Sequence, residues 1–196
     1  MSIRKTIART TLLAAALAFP PAAFSDADAP EWVSEARQKS AQLGARLVEA
    51  LQQALASRGP TGGVEVCSVR APEIAARLSD DKFDVGRTAL RLRNPDNAPD
   101  EWERSVLQRF EKAMNRGADP ADLDEWHITR TDDGRVGRYM KAIPTGPQCV
   151  ICHGENVAPA LNETIQRLYP DDKATGFAPG DLRGAFTVTV DLSASD

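Results

Sequence analysis

The sequence predicts an α+β domain in which an antiparallel sheet packs against helices, one of them long and N-terminal. Residues 31–57 place leucines on one helical stripe, at Leu43, Leu47, Leu51 and Leu55. Two strand-like segments, 125–131 and 136–142, flank the hairpin signal Asp132-Asp133-Gly134-Arg135. Residues 182–192 alternate apolar and polar side chains, as a half-buried strand does. Strands with helices between and around them favour the α+β class.

The other elements follow in chain order. Arg58-Gly59-Pro60 ends the first helix, and residues 64–78 form a shorter helical stretch in which Pro72 is expected to begin a second turn. Residues 83–92 predict a strand, and residues 100–115 predict a helix. A further helix over 158–168 precedes the last strand.

The N-terminus has the pattern of an export signal. Three basic residues are followed by a short apolar run, 12–19, and by Ala23-Phe24-Ser25. This order predicts cleavage between Ser25 and Asp26. The apolar run is about half of the ~20 residues that a membrane-spanning helix needs. We therefore expect residues 1–25 to be a cleaved signal peptide and residues 26–196 to be a single periplasmic domain.

The charge of the mature chain disfavours two classes of partner. Residues 1–25 contribute three positive charges and no negative ones, so cleavage would change the net charge from −4 to −7. An acidic chain offers no electrostatic attraction to nucleic acid or to an anionic membrane. No later segment is apolar enough to span a membrane. The three cysteines are an odd number, so at least one lies outside any intramolecular disulfide of an exported protein.

Cys149-Val150-Ile151-Cys152-His153 has the spacing of a c-type haem attachment motif. On a helical turn, cysteines three residues apart share a face, and the next residue brings its imidazole alongside. The two sulfurs can then bond the vinyl groups of one haem while His153 binds the iron as the proximal ligand. The export signal favours this interpretation, because bacteria attach such haem outside the cytoplasm.

Three other interpretations of the motif stay open. A thioredoxin-like redox pair can have the same spacing, but it follows an early strand of a βαβ unit, whereas this motif comes late in the chain. A zinc site would lack a second Cys-x-x-Cys pair. A structural disulfide between Cys149 and Cys152 would be strained.

The residues alone leave the sixth iron ligand open. His127, Cys67, Met114 and Met140 are the candidates. His127 lies in a predicted strand, and the two methionines are more typical of packing positions. Cys67 is the leftover thiol in an apolar stretch, which fits a ligand and a buried inert cysteine equally well.

Five segments resemble one known family in the order in which they occur. They are residues 64–75 (VEVCSVRAPEIA), 87–88 (RT), 91–103 (RLRNPDNAPDEWE), 149–154 (CVICHG) and 180–185 (GDLRGA). The chain is identified through them as a member of a family of single-haem c-type domains of PAS-like fold, known as a domain of unknown function. The resemblance spans about residues 35–192.

The resemblance implies a ligand set. Cys67 matches the family's thiolate ligand, and His153 matches its proximal histidine. A thiolate donor would stabilise ferric haem and give a low reduction potential. Arg91, Arg93 and Arg183 border the matched motifs and are therefore candidates for contacts with the haem propionates, since arginine binds carboxylates bidentately.

The sequence therefore predicts a protein with one covalent haem c that acts in electron transfer or in redox or gas sensing. The alternatives are a subunit of a haem oxidoreductase that acts on sulfur compounds and, less favoured, a thiol-disulfide oxidoreductase. No nucleotide-binding glycine loop and no nucleophile–base arrangement occurs in the sequence, which disfavours an independent enzyme. The expected partner is a redox or signalling protein.

Overall fold

The computed structural model describes residues 29–132 and 134–193. The predicted signal peptide and the hairpin residue Asp133 lie outside the described residues. The main elements are α1 (Glu31–Ala76), β1 (Phe83–Thr88), α2 (Glu101–Met114), β2 (Asp124–Thr131), β3 (Gly134–Pro144), α3 (Val150–His153), α4 (Pro159–Leu168) and β4 (Leu182–Asp191).

The four strands form one antiparallel sheet in the order β1-β4-β3-β2. β2 and β3 form the hairpin that the sequence predicts, with Thr131 opposite Gly134 at its closed end. The last strand, β4, is inserted between β1 and β3. The α+β class and the long N-terminal helix are confirmed, whereas the PAS-like arrangement stays a prediction.

Helix α1 is bent sharply at Gly59, which has φ 68° and ψ −169°. Glycine adopts this positive φ without steric cost, and Pro60 then begins the second limb of the helix, residues 60–76. The second limb packs back on the first, since Ile74 joins Leu43 in one core cluster. Pro72 lies inside this limb, so the prediction that it begins a helical turn is wrong. Burial of its neighbours Ala71 and Ile74 offsets the backbone hydrogen bond that proline removes.

The sheet is covered on both faces. On one face, Trp32, Val33, Ala36 and Leu43 of α1 pack against strand residues that include Val85, Tyr139, Val188 and Val190. On the other face, the amphipathic helix α2 packs Val106, Leu107 and Phe110 against Met140, Ala142 and Ala185. Asp100 begins α2 with a capping box that it shares with Glu103. Because successive side chains of each strand point to opposite faces, the sheet has a separate apolar core on each face.

A third apolar cluster lies beyond the sheet, where Leu161, Ile165 and Tyr169 pack against Val64 of α1. It fixes α4 on the second limb of α1. β1 ends at Thr88, four residues before the end that the sequence predicts. Residues 89–93 leave the sheet and hydrogen-bond the segment after α4, where Lys173 N–H donates to the Leu92 carbonyl (2.7 Å). Within the described ranges, no helix has the length and hydropathy needed to cross a membrane.

Candidate functional site

The cysteine motif forms a single helical turn, α3. The His153 N–H donates to the Cys149 carbonyl and the Gly154 N–H to the Val150 carbonyl, both at 2.9 Å. Cys149 and Cys152 are half-buried free thiols. A Cβ at position 154 would lie 2.5 Å from the Val150 carbonyl oxygen, so the turn closes tightly only with glycine there. The motif therefore presents two sulfurs and one imidazole from a single helical turn.

His153 is held as a neutral imidazole. Its Nδ1 lies 2.7 Å from the Ala174 carbonyl oxygen. Because a carbonyl can only accept, Nδ1 carries the hydrogen and donates it, which leaves Nε2 with a free lone pair. Burial lowers the pKa of His153 to about 2, and the positive charges of Arg183 and Arg93 add to the effect. An imidazole with its second nitrogen anchored in this way is the usual state of a metal-binding histidine.

Residues 172–177 wrap around this imidazole. The Gly176 N–H donates to the Gly154 carbonyl (3.0 Å), and the Phe177 N–H donates to the His153 carbonyl (2.9 Å). The Phe177 ring meets the His153 ring edge to face, with centroids 6.2 Å apart. The segment after α4 thus contacts both the backbone and the ring of His153.

An ion pair between Arg93 and Asp172 anchors this segment. The Arg93 side chain is 9% exposed and that of Asp172 is 1% exposed. Arg93 Nε donates to Asp172 Oδ1 (3.1 Å) and Nη2 to Oδ2 (3.0 Å), while Nη2 also reaches the Cys152 carbonyl at 2.7 Å. Arg93, predicted as a propionate contact, therefore uses two of its three nitrogens within the protein.

Cys67 faces the same site from the second limb of α1. Burial raises the pKa of the Cys67 thiol, whereas the charges of Arg87, Arg93 and Arg183 lower that pKa. The charge of Cys149 also acts on the pKa of Cys67. Cys67 and Cys149 are 82 positions apart in the sequence, and the fold brings them to one site. The thiol of Cys67 thus lies among cations that favour its ionised form.

The site holds more buried positive than negative charge. Arg87, Arg93 and Arg183 all lower the pKa of His153, and Asp172 is the carboxylate that pairs with one of them. Burial lowers the pKa of Arg183 to about 10 and also lowers that of Arg87. Within the described residues, Arg183 makes one long hydrogen bond, to the Arg91 carbonyl (3.4 Å), and its guanidinium lies 5.3 Å from the centroid of the Phe177 ring. An uncompensated buried cation is costly, so this arrangement suits an anionic ligand.

Arg87 belongs to the site but was not predicted from the sequence. Its guanidinium has no hydrogen bond or ion pair with another residue in the described ranges, although the Cys67 thiol and the Tyr169 hydroxyl are near enough to act on its pKa. Phe83, Val85 and Arg87 alternate along β1, and the first two face α1. Arg87 is a charged residue at the next inward-facing position of β1, and this position could have identified it as a site residue from the sequence.

Arg91 has a different setting from the other arginines. Its guanidinium stacks on the Phe177 ring at 3.4 Å from the centroid, and Nη1 donates to the Thr175 and Gly176 carbonyls at 3.0 and 3.3 Å. It therefore supports the segment around His153 from the outside.

The other three candidates for the sixth ligand lie elsewhere. His127 is exposed on β2, where its ring stacks on Trp102 with centroids 6.4 Å apart. Met140 is fully buried in the core beneath α2. Met114 ends α2 and is half-buried. None of the three is among the residues that the structure places around the Cys149–His153 turn.

The donors present fit haem better than a bare metal ion. Within the described residues, no group of three or more histidine, cysteine, aspartate or glutamate side chains is arranged to hold a metal ion. Covalent haem binding requires two thiols for the vinyl groups, one or two axial ligands for the iron, and cations for the carboxylates. The turn at Cys149–His153, the Cys67 thiol and the surrounding arginines offer each of these.

Comparison with known proteins gives two findings. The sequence profile of the Tll0287-like family matches residues 25–191. The chain is also similar to the protein in a crystal structure of the cyanobacterial heme-protein Tll0287, with 26% sequence identity and a TM-score of 0.60. That similarity covers 84% of this chain and 97% of the other. No curated protein matches the chain.

Proposed function

This chain belongs to the Tll0287-like family, and from that premise we propose that it binds a single haem, covalently, in the periplasm. The observation that carries the proposal is the state of His153. Its Nδ1 is hydrogen-bonded to the Ala174 carbonyl and its Nε2 is free to bind iron, one residue after the second of two free thiols. We assign His153 as the proximal ligand.

Cys149 and Cys152 supply the covalent link. Each thiol adds its S–H across one vinyl double bond, so two thioether bonds form without an oxidant and without a leaving group. The helical turn of α3 supports this role because it presents both sulfurs on the side of His153. When bound, the haem supplies a redox-active iron; the protein supplies its ligands and its electrostatic surroundings.

Cys67 is the distal ligand in this proposal. It shares the site with Cys149, and Arg87, Arg93 and Arg183 favour its thiolate. A thiolate donor and partial burial both stabilise the ferric state. If a redox partner supplied an electron to the bound haem, the Cys67 sulfur would bind the iron more weakly and would take up a proton from solvent. This behaviour fits redox or gas sensing and fits electron transfer at low potential.

Arg87 and Arg183 are the cations available to the haem carboxylates. Arg93 is engaged by Asp172 and two backbone carbonyls, and Arg91 by two carbonyls and the Phe177 ring. Arginine pairs with carboxylates through two parallel hydrogen bonds. We therefore extend the set inferred from the sequence motifs to include Arg87.

The thiol-disulfide alternative is weaker on the chemistry of the thiols. Burial raises the pKa of Cys152, one of the two thiols of the pair. Thiol exchange at neutral pH depends on a thiolate whose pKa is lowered. A role as the haem subunit of an oxidoreductase acting on sulfur compounds remains the alternative use of the same site, with a redox or signalling protein as partner in either case.

Optical spectra of the exported protein test the proposal. We expect a low-spin ferric spectrum with thiolate character, conversion of Cys67→Ala to a high-spin or water-bound form, and faster carbon monoxide binding by the reduced variant. His127→Ala is the matched control and should behave like the wild type. An exported protein without a haem spectrum would contradict haem binding. Loss of the low-spin form in His127→Ala, with Cys67→Ala unaltered, would contradict the thiolate ligand.

A further inference from the structure

We propose that Arg93 and Asp172 act as a positioning pair for His153, fixing the carbonyl that orients the imidazole and the backbone that carries it. This inference rests on the proposed function of His153 as an iron ligand. It gives Arg93 a role different from the propionate contact that the sequence motifs suggest.

The pair is connected to both ends of His153. Arg93 Nη2 donates to the Cys152 carbonyl at 2.7 Å, the carbonyl of the peptide bond that joins Cys152 to His153. The same nitrogen has two hydrogens for three acceptors, and it shares one of them with the Ala174 carbonyl at 3.3 Å. This oxygen also accepts the hydrogen of His153 Nδ1 at 2.7 Å. One guanidinium therefore fixes the ligand's backbone and the hydrogen-bond acceptor of its ring.

Asp172 holds the same residue through its N–H. Its Oδ1 accepts the Ala174 N–H at 2.9 Å and Arg93 Nε at 3.1 Å, while Oδ2 accepts Arg93 Nη2 at 3.0 Å. The backbone of Ala174 is thus held at its N–H by the aspartate and at its C=O by the arginine. Both side chains are almost fully buried, so water does not compete for these bonds.

The consequence for iron binding is electronic as well as geometric. A histidine whose Nδ1–H is firmly hydrogen-bonded is a more basic donor at Nε2, and it keeps one ring orientation. A stronger donor stabilises ferric over ferrous iron. Loosening the Ala174 carbonyl should therefore weaken the iron–imidazole bond and raise the reduction potential.

The chemistry of arginine makes the role testable by a charge-conserving change. The Arg93 contacts use Nε and Nη2 together, in a planar arrangement that a lysine ammonium cannot reproduce. Arg93→Lys keeps the charge and removes the geometry. Asp172→Asn keeps the shape and the oxygen that accepts from Ala174 but removes the ionic partner.

The experiment uses resonance Raman spectroscopy of the reduced haem protein in a Cys67→Ala background, in which His153 is expected to be the single axial ligand. We expect the iron–histidine stretching frequency to fall when Arg93→Lys or Asp172→Asn is added. In the chain that keeps Cys67, each change alone should raise the reduction potential. A role confined to holding the fold together would move neither quantity in protein that stays folded.

A second ion pair provides the control. Asp124 pairs with Arg37 (2.7 Å) and accepts a hydrogen bond from Tyr139, and none of these residues contacts the His153 segment. Asp124→Asn should leave the frequency and the potential unchanged. Folded, haem-loaded Arg93→Lys and Asp172→Asn with wild-type frequency and potential would overturn the inference. A Cys67→Ala protein without an iron–histidine band would instead contradict His153 as the iron ligand, and with it the proposed function.

Discussion

Arg87 allows a prediction in which one substitution has opposite effects on the two forms of the protein. Arg87 is half-buried, burial lowers the pKa of its guanidinium, and no carboxylate pairs with it in the described part of the chain. In protein without haem, Arg87→Met would remove an uncompensated buried charge and leave a flexible apolar side chain in its place. In haem-loaded protein, the same change would remove the partner of a thiolate or a propionate.

The expected magnitudes follow from these two environments. Replacing poorly compensated buried charge by an apolar residue of similar size is neutral or stabilises by about 1–4 kcal/mol, and we expect this gain in the unloaded protein. Removing one partner of a buried charge pair costs about 3–5 kcal/mol, and we expect this loss in the loaded protein. For a domain of this length, each kcal/mol corresponds to a change of about 2–4 °C in melting temperature.

The assay is urea unfolding followed by circular dichroism. The loaded form is the exported protein, and the unloaded form is the Cys149→Ala, Cys152→Ala double variant, each with and without Arg87→Met. Arg109→Met is the control, because Arg109 is half exposed and pairs with Glu125 on the surface. It should change either form by less than about 1 kcal/mol. Equal destabilisation of both forms by Arg87→Met would contradict the prediction of opposite effects, since Arg87 would then stabilise the fold itself.

Three further predictions address the motif, the ligand and the leader. Gly154→Ala places a Cβ 2.5 Å from the Val150 carbonyl oxygen, so it should reduce the ratio of haem to polypeptide and lower the free energy of unfolding by about 1–3 kcal/mol. Gly86→Ala is the control and should keep full haem loading, because its Cβ would lie 3.6 Å from the nearest atom. Cys67→Ala should raise the reduction potential in a redox titration, because ferric iron loses an anionic donor; an unchanged potential would argue against thiolate ligation. Peptide sequencing of the exported protein should begin at Asp26, and a retained Met1 would contradict cleavage.

The sequence predicted the elements well because their signals are local. The leucine stripe of α1 and the turn between β2 and β3 depend on neighbours a few residues apart. The departures arise where distant contacts decide. α1 continues past Pro72 because Ala71 and Ile74 are buried on both sides of it. β1 ends early, and the following residues bond the segment after α4.

The site was only partly predictable for the same reason. The spacing of Cys149, Cys152 and His153 is local and identifies the turn that they form. The Arg93–Asp172 pair joins residues 79 positions apart, and no pattern in the sequence connects them. Arg87 had a local signal, since it interrupts the inward apolar positions of a strand. The acceptor of His153 is a backbone carbonyl, that of Ala174, and such a partner leaves no mark in the side-chain sequence.

The most direct test of the central claim is the intact mass of the exported protein after denaturation and acid-acetone extraction, which removes haem that is not covalently attached. We expect one species, with the mass of residues 26–196 plus one haem, and loss of the added mass in the Cys149→Ala, Cys152→Ala double variant. Cys67→Ala should keep the added mass, because this cysteine is assigned to the iron and not to the covalent link. A polypeptide mass without haem, or an added mass that the double variant retains, would contradict covalent attachment at the Cys149–His153 turn.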